Sequence, residues 1–411
     1  MIESDSLNTR VGFIIALARR LHEYGTAAPR LEDAIDKVSA RLNLGCEVLS
    51  TPTSIVLSFA ELSQGKHAVA QITQVIRLAP GDVNLRRLVE VDNIADRVID
   101  GSLDLPAGFQ MLRELDRPPG RRWRRMTVFS YGISSASVAS LLHASWADIA
   151  VAALCGWMIG LLAHVSQGRP RLLASFEAIC ALLVTIVAIV LSAYVVPLTM
   201  KTVVLASLIV LLPGMTLTTA VRELSSQHLV SGVARMAGAM ATLLKLTFGT
   251  VAAAQLCRVF GVVPQEISLE AAPVWVEWVG LIAGAFSFAV LFRSARRDLW
   301  LVVGSVLLGY AITRFGGARF GSEFGVFVAG FAIGAISNLY AALWQRPGAL
   351  VREPGIILLV PGSVGFKSMG FLFERDILLG LDTTLLLVTL LISLVAGLLF
   401  GDLLIPPRRS L

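Results

Sequence analysis

Charge is what this chain has least of. Its 411 residues hold 35 Lys+Arg and 29 Asp+Glu, 16% in all, where a soluble domain has about a quarter. Mean hydropathy is +0.73. A chain this long and this apolar cannot be one water-soluble globule. The shortage is also uneven, since residues 1–125 carry 33 of the 64 charged residues and leave 31 for the other 286. Cysteine is scarce too. Cys46, Cys155, Cys180 and Cys257 show no CxxC spacing, and three of them sit in apolar runs, which excludes a disulfide framework and a zinc site. Neither GxSxG nor HExxH occurs, and Gly401-Asp402 is isolated, so an intramembrane protease is not indicated. The run Gly362-Ser363-Val364-Gly365-Phe366-Lys367-Ser368 resembles a phosphate loop, but Phe366 stands where Walker A needs glycine, which argues against ATP-driven work. The net charge of +6 does not point to nucleic acid, because the basic residues are scattered through short loops rather than gathered on one face.

The polar segment reads as a small α+β domain, residues 1–120. Val11, Ile14, Ala18 and Leu21 recur at helical spacing, and Leu31, Ala34, Ile35, Val38 and Leu42 do so after the Gly25–Pro29 break. Three strands are expected at Cys46–Ser50, Ser54–Ala60 and Ala68–Leu78, then a helix through Leu85, Leu88, Asn93 and Val98 and a weaker one from Asp104 to Leu115. The apolar stretch Phe13–Ala18 is short and is closed by Arg19-Arg20, unlike a signal peptide, so this domain is expected on the side of synthesis. His22 and His67 could pair with Asp33, Asp36 or Glu61, and Thr51, Thr53 and Ser54 offer hydroxyls, but no motif forces these groups together.

From Arg121 onward ten apolar spans are expected, near 126–144, 147–165, 174–196, 203–221, 230–256, 275–292, 298–313, 324–344, 353–371 and 381–404. A constant offset of 148 residues lays Gly132 on Gly280, Gly156 on Gly304, Pro213-Gly214 on Pro361-Gly362 and Gly232 on Gly380. Two units follow, 121–257 and 258–411. Five spans is an odd number, so the second unit must enter the bilayer from the opposite side, which makes an inverted repeat. With both ends cytoplasmic, fourteen arginines fall on inside loops and six Lys or Arg on outside loops, as the positive-inside bias requires. The fold class is thus a polytopic α-helical membrane protein, ten helices as a 5+5 inverted repeat behind a cytosolic α+β domain.

Inverted repeats rock about a site between their halves, commonly at broken helices whose freed backbone groups line a cavity. Pro213-Gly214 and Pro361-Gly362 are mid-span breaks, followed by Thr216, Thr218 and Thr219 and by Ser363 and Ser368. A half-helix beyond each break points its positive end at the gap, which suits a substrate carboxylate. Lys245 lies near the middle of the fifth span and is expected to face the cavity or a partner. Glu177 is the candidate carboxylate for a coupling proton, and Asn338 could hydrogen-bond a zwitterion or hold helices together.

Several stretches carry a family resemblance: Glu23-Tyr24-Gly25-Thr26-Ala27-Ala28-Pro29-Arg30-Leu31-Glu32-Asp33, Thr51-Pro52-Thr53-Ser54-Ile55, Arg77–Leu85, Pro213-Gly214 with Arg222-Glu223-Leu224, and Val360-Pro361-Gly362-Ser363. In that order they closely resemble the threonine/serine exporter family in its fused form. The resemblance implies export of small amino acids driven by the proton motive force, from the inner, cytoplasmic membrane, with Pro213, Gly214, Arg222, Glu223, Pro361, Gly362 and Ser363 as the matched positions. Related two-subunit members export dicarboxylates, so a small carboxylate such as succinate stays open as substrate. A membrane-anchored enzyme or sensor acting through residues 1–120 is the remaining alternative. At the second Arg-Glu-Leu position this chain has Gly370-Phe371-Leu372, and whether Glu374-Arg375-Asp376 takes over is open. The expected partners are a small amino acid or carboxylate, protons and lipid, with no cofactor, no metal and no nucleic acid; a homo-oligomer is left open.

Overall fold

The computed structural model describes residues 6–61, 72–115, 120–265 and 270–407. The polar segment opens with α1 (Leu7–Glu23) and α2 (Ala28–Arg41). Ser6 caps α1 by accepting from the Thr9 N–H, and Pro29 stands in the first turn of α2, where a missing N–H costs nothing. Strands β1 (Leu44–Thr51), β2 (Ser54–Glu61) and β3 (Ile72–Arg77) form an antiparallel sheet in that order, with Leu44 opposite Glu61 and Phe59 opposite Ile72. Alternation on β2 sends Ile55, Leu57 and Phe59 inward. Helices α3 (Leu85–Ile99) and α4 (Leu105–Glu114) follow, capped by Asn84 and Asp104. The element order matches the periodicity; of the third expected strand, residues 68–71 lie outside the described residues.

Helices then take over: α5 (Arg121–Leu141), α6 (Trp146–Ser166), α7 (Pro170–Ala174), α8 (Phe176–Tyr194), α9 (Met200–Leu208), α10 (Gly214–Ser225) and α11 (Leu229–Val259), followed by α12 (Val274–Leu291), α13 (Leu299–Phe320), α14 (Ser322–Trp344), α15 (Ala349–Ile356), α16 (Gly362–Phe373) and α17 (Ile377–Leu404). Among the described residues seven helices are long and apolar enough to cross a bilayer, and the α9–α10 pair, bent by 57° at its break, would make an eighth. Helix α5 is more polar because it opens on Arg121, Arg122, Arg124 and Arg125 and buries five serines. The α15–α16 pair carries Arg352 and Glu353. Leu161, Phe248, Trp300 and Ile392 remain exposed on outer faces, a surface made for lipid. The chain is a multi-pass helical membrane protein with a small three-stranded unit in front.

Small residues let these helices approach closely. Between α5 and α12, Ser137 Oγ donates to the Gly280 carbonyl at 2.7 Å, and the Ser134 and Ser287 hydroxyls are 2.6 Å apart. The 148-residue offset recurs in geometry. Helices α10 and α16 are both 12 residues long, and α11 and α17 start at Leu229 and Ile377. The turns before those starts both hold a left-handed residue, Gln227 (φ 66°) and Arg375 (φ 65°). A Cβ on Gly232 would meet the Leu224 side chain, and one on Gly380 would meet Leu372. The correspondence has limits: Gly156 is pressed against Ser135 and the Tyr131 carbonyl, whereas Gly304 faces nothing within 4 Å.

A methyl group therefore tests close approach. Gly362→Ala would place Cβ 3.0 Å from the Gly214 backbone, whereas Gly370→Ala enters open space. The first is expected to destabilise the detergent-solubilised protein by about 1–3 kcal/mol. The second should leave the melting temperature unchanged or slightly raised, as helix propensity dictates. Equal melting temperatures for both variants would contradict the crossing.

Candidate functional site

Each Pro-Gly pair interrupts its helix in the same way. Proline removes a ladder donor, and Pro213 (φ −80°, ψ 40°) and Pro361 (φ −83°, ψ 39°) share one non-helical conformation. The following glycine turns its N–H back two residues, Gly214 to the Leu212 carbonyl at 2.8 Å and Gly362 to the Val360 carbonyl at 2.9 Å. The two glycines then meet backbone to backbone. Helices α10 and α16 therefore start beside one another, each with the positive end of its dipole at the crossing.

A cavity of about 110 Å³ lies beside α10. That is well below the roughly 300–1,000 Å³ of drug-sized sites, so it suits a molecule of few atoms. Membrane helices give Met215, Thr216, Thr219, Arg222, Arg235, Ala349 and Glu353 to its wall. The polar segment closes it with Tyr24–Ala27, Arg30, Gly81, Val83 and Leu88. Gly25 makes that closure possible: its φ is +83°, and a Cβ there would lie 2.9 Å from the Val83 nitrogen.

Two carboxylates, Glu223 buried and Asp402 partly so, hold the surroundings. Glu223, with no exposed surface, accepts from Arg235 Nε at 3.0 Å, Ser231 Oγ at 2.7 Å and the Ala28 N–H at 3.0 Å. The last bond joins the N-terminus of α2 to a membrane helix, with the helix dipole favouring the negative partner. Asp402 on α17 accepts from Arg222 at 2.9 Å, Arg352 at 2.6 Å and the Asn338 amide at 2.7 Å. Asn338 in turn accepts from Arg352 at 2.9 Å and donates to the Ile405 carbonyl at 2.7 Å. Arg352 is completely buried, which is tolerable only because it is paired and hydrogen-bonded.

Further contacts seat the polar segment on the helices. Glu32 accepts from the Ser50 N–H at 2.8 Å and lies 3.1 Å from His228 Nε2, while His228 Nδ1 is 2.9 Å from the Ser226 carbonyl. The Leu85 and Arg86 N–H groups donate to the Phe292 and Arg293 carbonyls at 3.0 and 3.2 Å. One apolar cluster runs from Phe13, Leu31 and Leu85 into Phe288, Phe292 and Val303.

The structure gathers some of the sequence candidates and separates others. Thr216 and Arg222 line the cavity, with Pro213 and Gly214 at the start of their helix, and Glu223 and Asn338 belong to the ion-pair networks. Thr218 is buried nearby, and its hydroxyl has no partner among the described residues. Pro361, Gly362 and a half-buried Ser363 form the other side of the crossing. Lys245 is elsewhere: its ammonium donates to the Ala174 carbonyl at 3.0 Å and lies 3.4 Å from Glu177. The two therefore pair with each other, at the start of α8, because that helix begins at the level Lys245 reaches. Glu374 pairs with Lys201 on the surface and Asp376 caps α17, so neither reproduces Glu223. In the polar segment His22 is buried 3.1 Å from the Thr51 carbonyl, and burial pushes its pKa below the ordinary histidine value. Thr51 and Ser54 bond one another across the hairpin, Asp33 pairs with Lys37 and Glu61 with Arg10. None of these carboxylates contacts His22, and His67 lies outside the described residues. Sequence reasoning did not place Arg30, Arg235, Arg352, Glu353 or Asp402 at the site; the one available signal was that Arg235 and Asp402 are charges inside the expected spans 230–256 and 381–404.

Asp402→Asn removes the anion shared by two arginines and is expected to cost about 3–5 kcal/mol, because a buried charge loses its partner. Thermal unfolding in detergent checks this, with the double variant Arg352→Met/Asp402→Asn recovering part of the loss.

Two family models match the chain: "Putative threonine/serine exporter" over residues 12–257 and "Threonine/Serine exporter, ThrE" over residues 277–404. Among curated proteins, an uncharacterised protein of Schizosaccharomyces pombe is 25% identical over 398 residues, 93% of this chain and 46% of its own length. Pheromone-regulated membrane protein 10 is 26% identical in Zygosaccharomyces rouxii and 25% in Saccharomyces cerevisiae, each over 87% of this chain and over 37% and 46% of their own lengths. The chain spans less than half the length of these relatives. No solved structure matches it significantly. With both halves of the chain matched by its models, this protein belongs to the threonine/serine exporter family.

Proposed function

We propose that the protein is a secondary exporter of small amino acids, threonine or serine, working by alternating access about the crossing of its two Pro-Gly breaks. The observation that carries this reading is the backbone contact between Gly214 and Gly362, beside a small cavity edged by Thr216 and Thr219. Two interrupted helices meeting at a pseudo-symmetric point suit a carrier, because each half can move about the contact while freed backbone groups line the pathway. In this reading the ten spans form two inverted units, 121–257 and 258–411, with the domain 1–120 and both termini in the cytoplasm and the spans in the cytoplasmic membrane. Support comes from Arg222, Arg352 and the far end of α17 meeting at Asp402, and from the polar segment docking beside Arg293. Arginines thus gather at the end where the domain sits, as the positive-inside bias favours.

Protons are the proposed coupling ion, and Glu177 is the carboxylate that carries them. Glu223 and Asp402 are held by short bonds to arginine, whereas the Glu177–Lys245 pair is long, at 3.4 Å, and its side chains are 25% and 43% exposed. It is the pair that a proton opens at least cost.

Counterflow of labelled threonine or serine in proteoliposomes tests the main reading, and saturable exchange is expected. Exchange of succinate with neither amino acid would assign the dicarboxylate version, and no exchange of any of them would overturn export by this site. Glu177→Gln is expected to lower pH-gradient-driven export by at least about tenfold relative to counterflow; an unchanged ratio would remove Glu177 from the coupling step.

A further inference from the structure

Charges around the cavity are not equivalent. Arg222 is engaged by Asp402 at 2.9 Å, which it shares with Arg352, and Arg235 by Glu223 at 3.0 Å, so each meets the cavity already held by a carboxylate. Two lining charges have no hydrogen-bond or ion-pair partner among the described residues: Arg30, in the first turn of α2, and Glu353, on α15. One is a cation on the lid from the polar segment, the other an anion on the membrane wall. The Thr216 and Thr219 hydroxyls that line the same space have no partner there either. An unpaired cation, an unpaired anion and free hydroxyls around about 110 Å³ form the complement of a small hydroxy amino acid. Tyr24 and Gly81 also line a neighbouring groove of about 300 Å³.

We propose that Arg30 and Glu353 form a zwitterion clamp, Arg30 holding the α-carboxylate and Glu353 the α-ammonium of the substrate, with its side-chain hydroxyl on Thr216 or Thr219. This rests on the exporter reading and deepens it in two ways. The soluble segment supplies half of the binding site, so it is part of the transport unit rather than an appendage. Glu353 also sets the substrate class, since a dianion would bring a second carboxylate against it where an amino acid brings an ammonium, and rejection of that kind is as selective as attraction.

The test is isothermal titration of the full-length protein in detergent with L-threonine, threoninol (no carboxylate), 3-hydroxybutyrate (no ammonium) and succinate. Wild type is expected to bind threonine, and Arg30→Gln and Glu353→Gln to weaken it by at least about tenfold each, the value of a charge-assisted hydrogen bond. Glu353→Gln should weaken threoninol and spare 3-hydroxybutyrate, with the reverse for Arg30→Gln; this cross-pattern separates a direct contact from a disturbed fold. Arg30→Lys, on the soluble segment, should retain most of the affinity. Threonine affinity within about twofold of wild type in both neutral variants would overturn the clamp and leave the exporter reading standing, as would equal weakening of both analogues by each variant. Wild type that binds succinate and no amino acid, or none of the four, would overturn the amino-acid exporter reading itself.

Discussion

The contact between Gly214 and Gly362 constrains everything around it. Two helices can break at the same depth and start again side by side only if neither carries a side chain at the restart, and a Cβ on Gly362 would already lie 3.0 Å from the Gly214 backbone. The proline before each glycine ends the preceding turn, so breaking and restarting are written into two adjacent residues. Backbone groups freed in this way are costly in hydrocarbon and must be paired or line a polar space. Each glycine N–H finds a carbonyl two residues back, and the rest of α10 borders the cavity.

Backbone symmetry does not extend to charge. Both half-helices end in the same left-handed turn and pack on the same leucine–glycine pair, yet α10 ends with Arg222 and Glu223 where α16 has Gly370 and Phe371. At the α10 end Glu223 is buried and Asp402 partly so, and each has three donors within 3.0 Å. Such clusters are net stabilising only when fully paired, since removing charges from water costs several kcal/mol, about as much as good geometry returns. Their more secure contribution is to orientation: Glu223 ties α2 to α11, and Asp402 ties α10, α14 and α15 to α17. The α16 end has only a half-exposed Lys201–Glu374 pair, and no domain among the described residues docks there. Charge thus distinguishes two half-helices that the backbone makes alike, and the soluble segment docks at the charged one.

Much of this was legible because it is local. Period-3.6 and period-2 patterns gave the helices and strands of the soluble segment, and the Pro-Gly text at a fixed offset gave the crossing. What escaped reading was non-local. Nothing near Asp402 announces that Arg222, 180 residues earlier, and Arg352 will converge on it. Arg30 reads as an ordinary surface arginine until α2 is docked, and Glu353 as a residue at a span end. Lys245 shows the same limit: depth along its own helix says that it faces a cavity or a partner, and only the start of α8, which brings Glu177 to it, says which. A charge in an apolar span signals that a partner exists, and only packing says which.

The way the soluble segment is attached also limits how the cavity can open. Its apolar core continues into Phe288, Phe292 and Val303, so withdrawing the whole domain would expose a large buried surface at about 25 cal/mol per Å². The stretch over the cavity shares that core through Tyr24 and adds the Ala28–Glu223 and Glu32–His228 hydrogen bonds, each worth about 1.5–3 kcal/mol at most because it involves a charged group. Gly25, at φ +83°, stands where that stretch leaves α1 and tolerates backbone conformations closed to other residues. Opening the cavity from this side therefore means lifting Tyr24 out of that core as well as breaking those bonds.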